Sequence, residues 1–210
     1  MIEELSLKGI KGLYNDLNEL ITNNEFKGII IFDVDHFLEI NQNFGMKTGD
    51  RVIEIIGEYI EKEKYKGYRI GGDEFAVIFQ EGEPSSESKV LIRKINEIIE
   101  KELKIDIDIT GGGFKYKKED DILLDSDTKE LLVSTVRQLL YLAKRKYRGK
   151  IMWFKDEKYN SISKMEINSS FYKEIAMIYS SRMKELRYES KTDYLTGLYN
   201  RRGFDDKLKN

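Results

Sequence analysis

Up to Phe154 the apolar positions follow first one period and then another, and each change marks an element. Leu13, Leu17, Leu20 and Ile21 recur at helical spacing over Lys11 to Asn24, with Asn23-Asn24 as the stop. The unbroken run Ile29-Ile30-Ile31-Phe32 is the pattern of a buried strand. Val52, Ile55, Ile56, Tyr59 and Ile60 then form the stripe of a helix over Thr48 to Lys64. Two short strand-like runs, Gly67 to Ile70 and Ala76 to Gln80, predict a hairpin. Glu81 to Ser88, which holds the only proline, Pro84, reads as a loop before a helix over Lys89 to Glu102. Lys104 to Thr110 alternates as a strand, and Lys115 to Lys129 is charged and loop-like. A helix over Glu130 to Arg145 and a closing strand over Lys150 to Phe154 complete the series. This order predicts an α/β fold of the α+β sandwich type, a mostly antiparallel central sheet flanked by helices.

Beyond it the pattern changes. Phe171, Ile175, Ile178, Tyr179, Arg182 and Leu186 trace one stripe over Ser163 to Glu189, which predicts a long amphipathic linker helix that connects or dimerises. The expected division is a domain over 1–158, the linker over 159–190, and a further segment over 191–210.

The chemistry-bearing residues gather at strand ends. Gly71-Gly72-Asp73-Glu74-Phe75 lies at the tip of the hairpin, where two glycines let backbone approach a ligand and the acids offer oxygen to a hard cation. The Ile29 run ends in Asp33-Val34-Asp35, and alternation places Asp33 and Asp35 on one face with Val34 on the other. One of those two acids is expected to meet Glu74 at neighbouring strand ends. Two carboxylates from separate strands, with a carbonyl and phosphate oxygens, make the incomplete cage that Mg²⁺ occupies beside a nucleotide.

Together these stretches resemble the GGDEF family of diguanylate cyclases. The resemblance runs through Asp33 to Asn41, Gly45, Gly49-Asp50 and Gly71 to Phe75, then Thr110 to Phe114, Tyr141-Leu142-Ala143-Lys144 and Arg148, within about residues 26 to 155. It implies a palm-like nucleotide cyclase fold and condensation of two GTP into cyclic di-GMP and two pyrophosphates. It further implies that Asp33, Glu74, Asp73 and the backbone carbonyl of Val34 hold Mg²⁺, or Mn²⁺ in its place, and that either Asp73 or Glu74 takes the proton of the attacking hydroxyl. Gly71 and Gly72 would lie against the nucleotide, and Lys144 and Arg148, four apart on one helical face, would meet phosphate oxygens. Asn41 and Asp50 match the family's guanine readers, which favours GTP over ATP. Because each protomer brings one GTP, turnover is expected to need a homodimer. The alternative is a GTP-binding regulatory module that signals to a following domain.

Composition alters this picture little. The 36 basic and 38 acidic residues leave a net charge of −2, so no overall field points to DNA, RNA or a membrane surface. No cysteine is present, which removes disulfides and thiolate chemistry, and a soluble cytoplasmic protein is expected. No apolar run reaches the roughly 20 residues of a membrane span. The lone histidine, His36, has no second imidazole nearby in sequence and is expected to be structural.

Departures from the family pattern are specific. Leu38 stands where a phosphate-contacting lysine is usual, Met46 replaces a histidine, and Arg137 replaces an acid. Lys62 and Tyr65 occupy the positions of the inhibitory Arg-x-x-Asp motif, so product inhibition there is not expected. The segment Asp193 to Phe204 resembles the opening of a GGDEF domain, yet it follows one, and at the start only Gly12 to Asn15 resembles that opener. Residues 191–210 therefore either begin a second GGDEF domain or dock where the first lacks its opener.

Overall fold

A computed structural model describes residues 7–63, 65–116 and 129–154. The linker stripe and the segment from Asp193 lie outside the described residues. Helix α1 (Ile10–Thr22) leads to the central strand β1 (Gly28–Val34), and α2 (Phe37–Phe44) and α3 (Met46–Lys62) follow. The hairpin β2 (Lys66–Arg69) and β3 (Glu74–Phe79) comes next, then α4 (Pro84–Leu103), β4 (Ile109–Lys115), α5 (Lys129–Lys146) and β5 (Ile151–Trp153). The sheet order is β2-β3-β1-β4-β5, antiparallel except for the β4–β5 pair.

The apolar run of β1 is continuous because the strand is central and covered on both faces. Ile30, Phe32 and Val34 pack with Val52 and Ile56 of α3 and Leu91 and Ile95 of α4. Ile29 and Ile31 pack on the opposite side with Leu13 and Leu17 of α1 and Val136 and Leu140 of α5. The expected sandwich, a mostly antiparallel sheet between helices, is the observed one.

Two local expectations are corrected, and one element was not anticipated. Pro84 opens α4 instead of lying in a loop, because a proline at the first helical position gives up an amide that has no helical partner, while Glu83 caps the helix by accepting from the Ser86 amide at 2.9 Å. The strand expected over Lys104 to Thr110 begins only at Ile109. Ile105 and Ile107 are buried with Asp106 and Asp108 exposed between them, so the alternation records burial without a ladder. The short helix α2 was not anticipated as an element of its own.

Close approach explains the glycines of β4. A Cβ on Gly112 would lie 2.1 Å from the Val136 carbonyl oxygen and 2.6 Å from the Leu140 amide nitrogen, so α5 rests with its backbone on the strand. That contact sets the height of α5 above the sheet, and the site depends on it.

Candidate active site

Asp33 sits near the C-terminal end of β1, in register with Glu74 at the start of β3 and with Thr110 of β4. It has the same parity as Ile29 and Ile31, so its side chain projects to the α5 side of the sheet. Arg137 and Lys144 are seven residues apart on α5, two helical turns, and so share one face of it. Lys144 Nζ lies 2.5 Å from Asp33 Oδ2. Arg137 donates from Nε and Nη2 to the two oxygens of Glu74, at 3.0 and 3.1 Å. Each carboxylate of the strand pair is thus matched by one cation of the helix.

The two carboxylates are not equally satisfied. Asp33 Oδ1 is buried without a hydrogen-bond partner. Burial, aided by the negative charge of Asp73, raises the Asp33 pKa to about 6 although Lys144 pulls it down. Glu74 has both oxygens engaged by a bidentate guanidinium.

β1 ends at Val34, and Asp35 is buried, accepting from the Thr110 hydroxyl and, at 3.3 Å, from the Gly149 amide. It ties the β1 end to β4 and to the turn after α5. Of the two acids, Asp33 is the one beside Glu74. Val34, the proposed carbonyl ligand, is buried on the α3 side and pairs with Ile109.

At the hairpin tip the Ile70 and Gly71 amides both donate to the Glu74 carbonyl, at 2.9 and 3.2 Å. A Cβ on Gly71 would press on Glu74 Cβ at 3.0 Å, whereas Gly72 faces open space. Arg69, which sequence reasoning passed over, holds the Gly72 carbonyl with Nε and Nη2 at 3.1 and 2.7 Å.

Asn41 and Asp50 belong to the packed pair α2 and α3. Gly45, at φ 87°, separates the two helices, and its amide donates to the Asn41 carbonyl at 3.0 Å. The Asn41 side chain lies over Gly49, where a Cβ would come within 1.9 Å of Oδ1. Asp50 is exposed in the second turn of α3, beyond the capping position.

Arg148 departs from expectation. α5 ends at Lys146, so Arg148 does not continue the helical face of Lys144. It folds back instead, donating from Nε to the Lys144 carbonyl at 3.0 Å while Nη1 meets His36 Nε2. His36, in the left-handed region at φ 56°, also contacts Glu39 through Nδ1 at 2.7 Å. It therefore bridges α2 to the turn after α5.

A family model described as "Diguanylate cyclase, GGDEF domain" matches residues 11–150. The chain belongs to that family. As a GGDEF chain it is 32% identical over 149 residues to a protein named probable diguanylate cyclase DgcI of Escherichia coli K12, covering 69% of this chain and 31% of that one. It is 27% identical over 163 residues to diguanylate cyclase VdcA of Vibrio cholerae, covering 68% of this chain and 45% of that one. This GGDEF chain thus spans less than half the length of either curated relative. Among solved structures, the GGDEF domain of PA1120 from Pseudomonas aeruginosa superposes with a TM-score of 0.58 at 22% identity, over 73% of this chain and all of that one. The active GGEEF domain of a diguanylate cyclase from Vibrio cholerae gives 0.56 at 20% identity, over 73% of this chain and all of that one. Both establish the fold.

Against that family the observed site fits a metal pair of the incomplete kind. Among the described residues no cluster of three or more His, Cys, Asp or Glu side chains forms a ready cage. The buried Asp33 Oδ1 without a partner, beside Glu74, is the free oxygen that a hard cation would take. Of the three departures from the family pattern, Arg137 holds Glu74, while Leu38 and Met46 expose their side chains, at 68% and 74%.

Proposed function

We propose that this chain is a diguanylate cyclase, condensing two GTP into cyclic di-GMP and two pyrophosphates in a homodimer that needs Mg²⁺ or Mn²⁺. The ribose 3′-oxygen of each GTP bonds to the α-phosphorus of the other. Each α-phosphorus to bridging-oxygen bond breaks, and pyrophosphate leaves. The observation that carries this reading is the register pair Asp33–Glu74, with one buried carboxylate oxygen unpartnered and α5 cations beside both acids.

Asp33, Glu74, Asp73 and the Val34 carbonyl would hold the divalent cation, with nucleotide phosphates completing its shell. When bound, that cation neutralises phosphate charge and lowers the pKa of the 3′-hydroxyl. The protein's own part is positioning, which governs phosphoryl transfer. Gly72 leaves the hairpin tip open for backbone to lie against the nucleotide. Lys144 and Arg148, joined through the Lys144 carbonyl, present cations at the end of α5. Asn41 and Asp50 read guanine: a carboxylate accepts from its N1 and N2 donors, and adenine would leave Asp50 without them. Asp73 or Glu74 accepts the hydroxyl proton.

Because one chain supplies one half-site, the reaction is second order in protein at low concentration. Among the described residues no helix is long and apolar enough to cross a membrane, and we place the reaction in the cytoplasm, where GTP is made. The segment from Asp193 is read as the start of a second GGDEF domain.

The test is incubation of the concentrated chain with GTP and Mg²⁺, with products identified by chromatography and mass spectrometry. Cyclic di-GMP is expected from the native chain and not from Glu74→Ala. GTP binding without product would overturn the cyclase reading in favour of a GTP-sensing module.

A further inference from the structure

Asp33 and Glu74 are partners in register, yet the helix treats them differently. Lys144 engages one oxygen of Asp33, at 2.5 Å, and leaves Oδ1 without a partner. Arg137 engages both oxygens of Glu74, at 3.0 and 3.1 Å. A cation arriving at the strand ends therefore finds an unpartnered oxygen on Asp33, whereas both oxygens of Glu74 already accept from Arg137. The guanidinium donates to a lone pair on each Glu74 oxygen, and its positive charge 3.0 and 3.1 Å away opposes a divalent cation taking those same oxygens.

We propose that Arg137 competes with the divalent cation for Glu74, so that metal seats first on Asp33 and completes its protein ligation only when the guanidinium swings away. This rests on Asp33 and Glu74 being the metal pair of the proposed cyclase. Room for the swing exists: the Arg137 side chain is 40% exposed, against 21% for Glu74. The helix does not depend on the contact, because Val133, Val136 and Leu140 anchor α5 in the core. Arg137 is thus a positioning residue that sets the metal concentration at which the site fills. Lys144 cannot play this part, since it leaves one oxygen of its carboxylate free.

The sign of the effect separates competition from support. If Arg137 merely held Glu74 in place, removing it would loosen the strand end and weaken metal binding. If it competes, removing it tightens binding, by about tenfold for a partly exposed bidentate pair. The experiment titrates the full chain with Mn²⁺ alone, without nucleotide, and reads free Mn²⁺ by electron paramagnetic resonance. Native protein, Arg137→Gln and Arg137→Lys are compared, with thermal unfolding as the check that each is folded. Arg137→Gln is expected to bind about tenfold tighter than native, with Arg137→Lys between them because an ammonium occupies Glu74 less completely. Equal or weaker binding by Arg137→Gln would overturn the proposal while leaving the metal pair intact. Mn²⁺ binding that is absent in all three, or that survives Asp33→Asn, would instead remove the metal pair itself and the proposal with it.

Discussion

Asp33 and Glu74, 41 positions apart in the chain, face each other across the β1–β3 ladder, and the sheet alone brings them together.

From the burial of Asp33 follows a pH-dependent cost to stability. Burial holds its pKa at about 6, against 3.8 for an ordinary aspartate. Between those values the folded chain binds the proton that the unfolded chain has lost, so stability falls as pH rises through this window. Asp33→Asn escapes that cost. It is expected to gain about 1 kcal/mol over the native chain above pH 6, after discounting for solvent screening, with the gap closing below pH 4. Thermal unfolding from pH 4 to 8 checks this, and the same variant should lose cyclase activity. A native chain that is the more stable at pH 7.5 would refute it.

Gly49 makes room for Asn41. An added Cβ would overlap Asn41 Oδ1 at 1.9 Å, and the end of a flexible side chain moves more cheaply than a helix backbone. Gly49→Ala should therefore leave the unfolding midpoint within a few degrees of native while turning Asn41 away from its present position. With Asn41 as a guanine reader, KM for GTP should rise about tenfold, the loss of one or two hydrogen bonds. Steady-state kinetics beside Asn41→Ala would check it, and an unchanged KM in both would remove Asn41 from the site.

Gly112 offers no such escape, because its neighbours are the Val136 carbonyl and the Leu140 amide of α5. Gly112→Ala must lift the helix that carries Arg137 and Lys144. A loss of about 3 kcal/mol is expected, at the upper end of overpacking costs. Denaturant unfolding measures it, and a loss below about 1 kcal/mol would mean that α5 does not rest on β4 as described.

The central strand, its flanking helices and the meeting of a strand-end aspartate with Glu74 were legible in the sequence because each rests on a local signal: the apolar run of β1, the stripes of α1, α3 and α5, and the glycine turn before Glu74. What was missed depends on contacts between distant segments. That Asp35, just past the end of β1, is held by Thr110 and Gly149 is a tie between distant segments that no local pattern shows. Arg148 follows Lys144 at helical spacing, yet α5 stops first and His36 takes the guanidinium. Arg137 was visible as a departure from the family pattern, and its seven-residue spacing from Lys144 was the available sign that it faces the same strand ends.

Lys62 and Tyr65 bear on feedback. The Tyr65 hydroxyl donates to Glu87 at 3.3 Å, and its ring meets Phe79 edge-on at 5.8 Å between centroids. Burial and the Glu87 charge push its pKa up to about 12, so it stays a neutral donor already in use. The adjoining cavity is lined by Glu63, Glu81 and Glu87, three carboxylates with one cation, Lys66, among them. A cyclic dinucleotide carries two phosphate charges, and this surface repels them. Added product should therefore inhibit the native chain and Lys62→Ala to the same extent, through the substrate site alone. Initial rates at increasing cyclic di-GMP decide the matter: inhibition that Lys62→Ala abolishes would restore a feedback site at these positions despite the acidic wall.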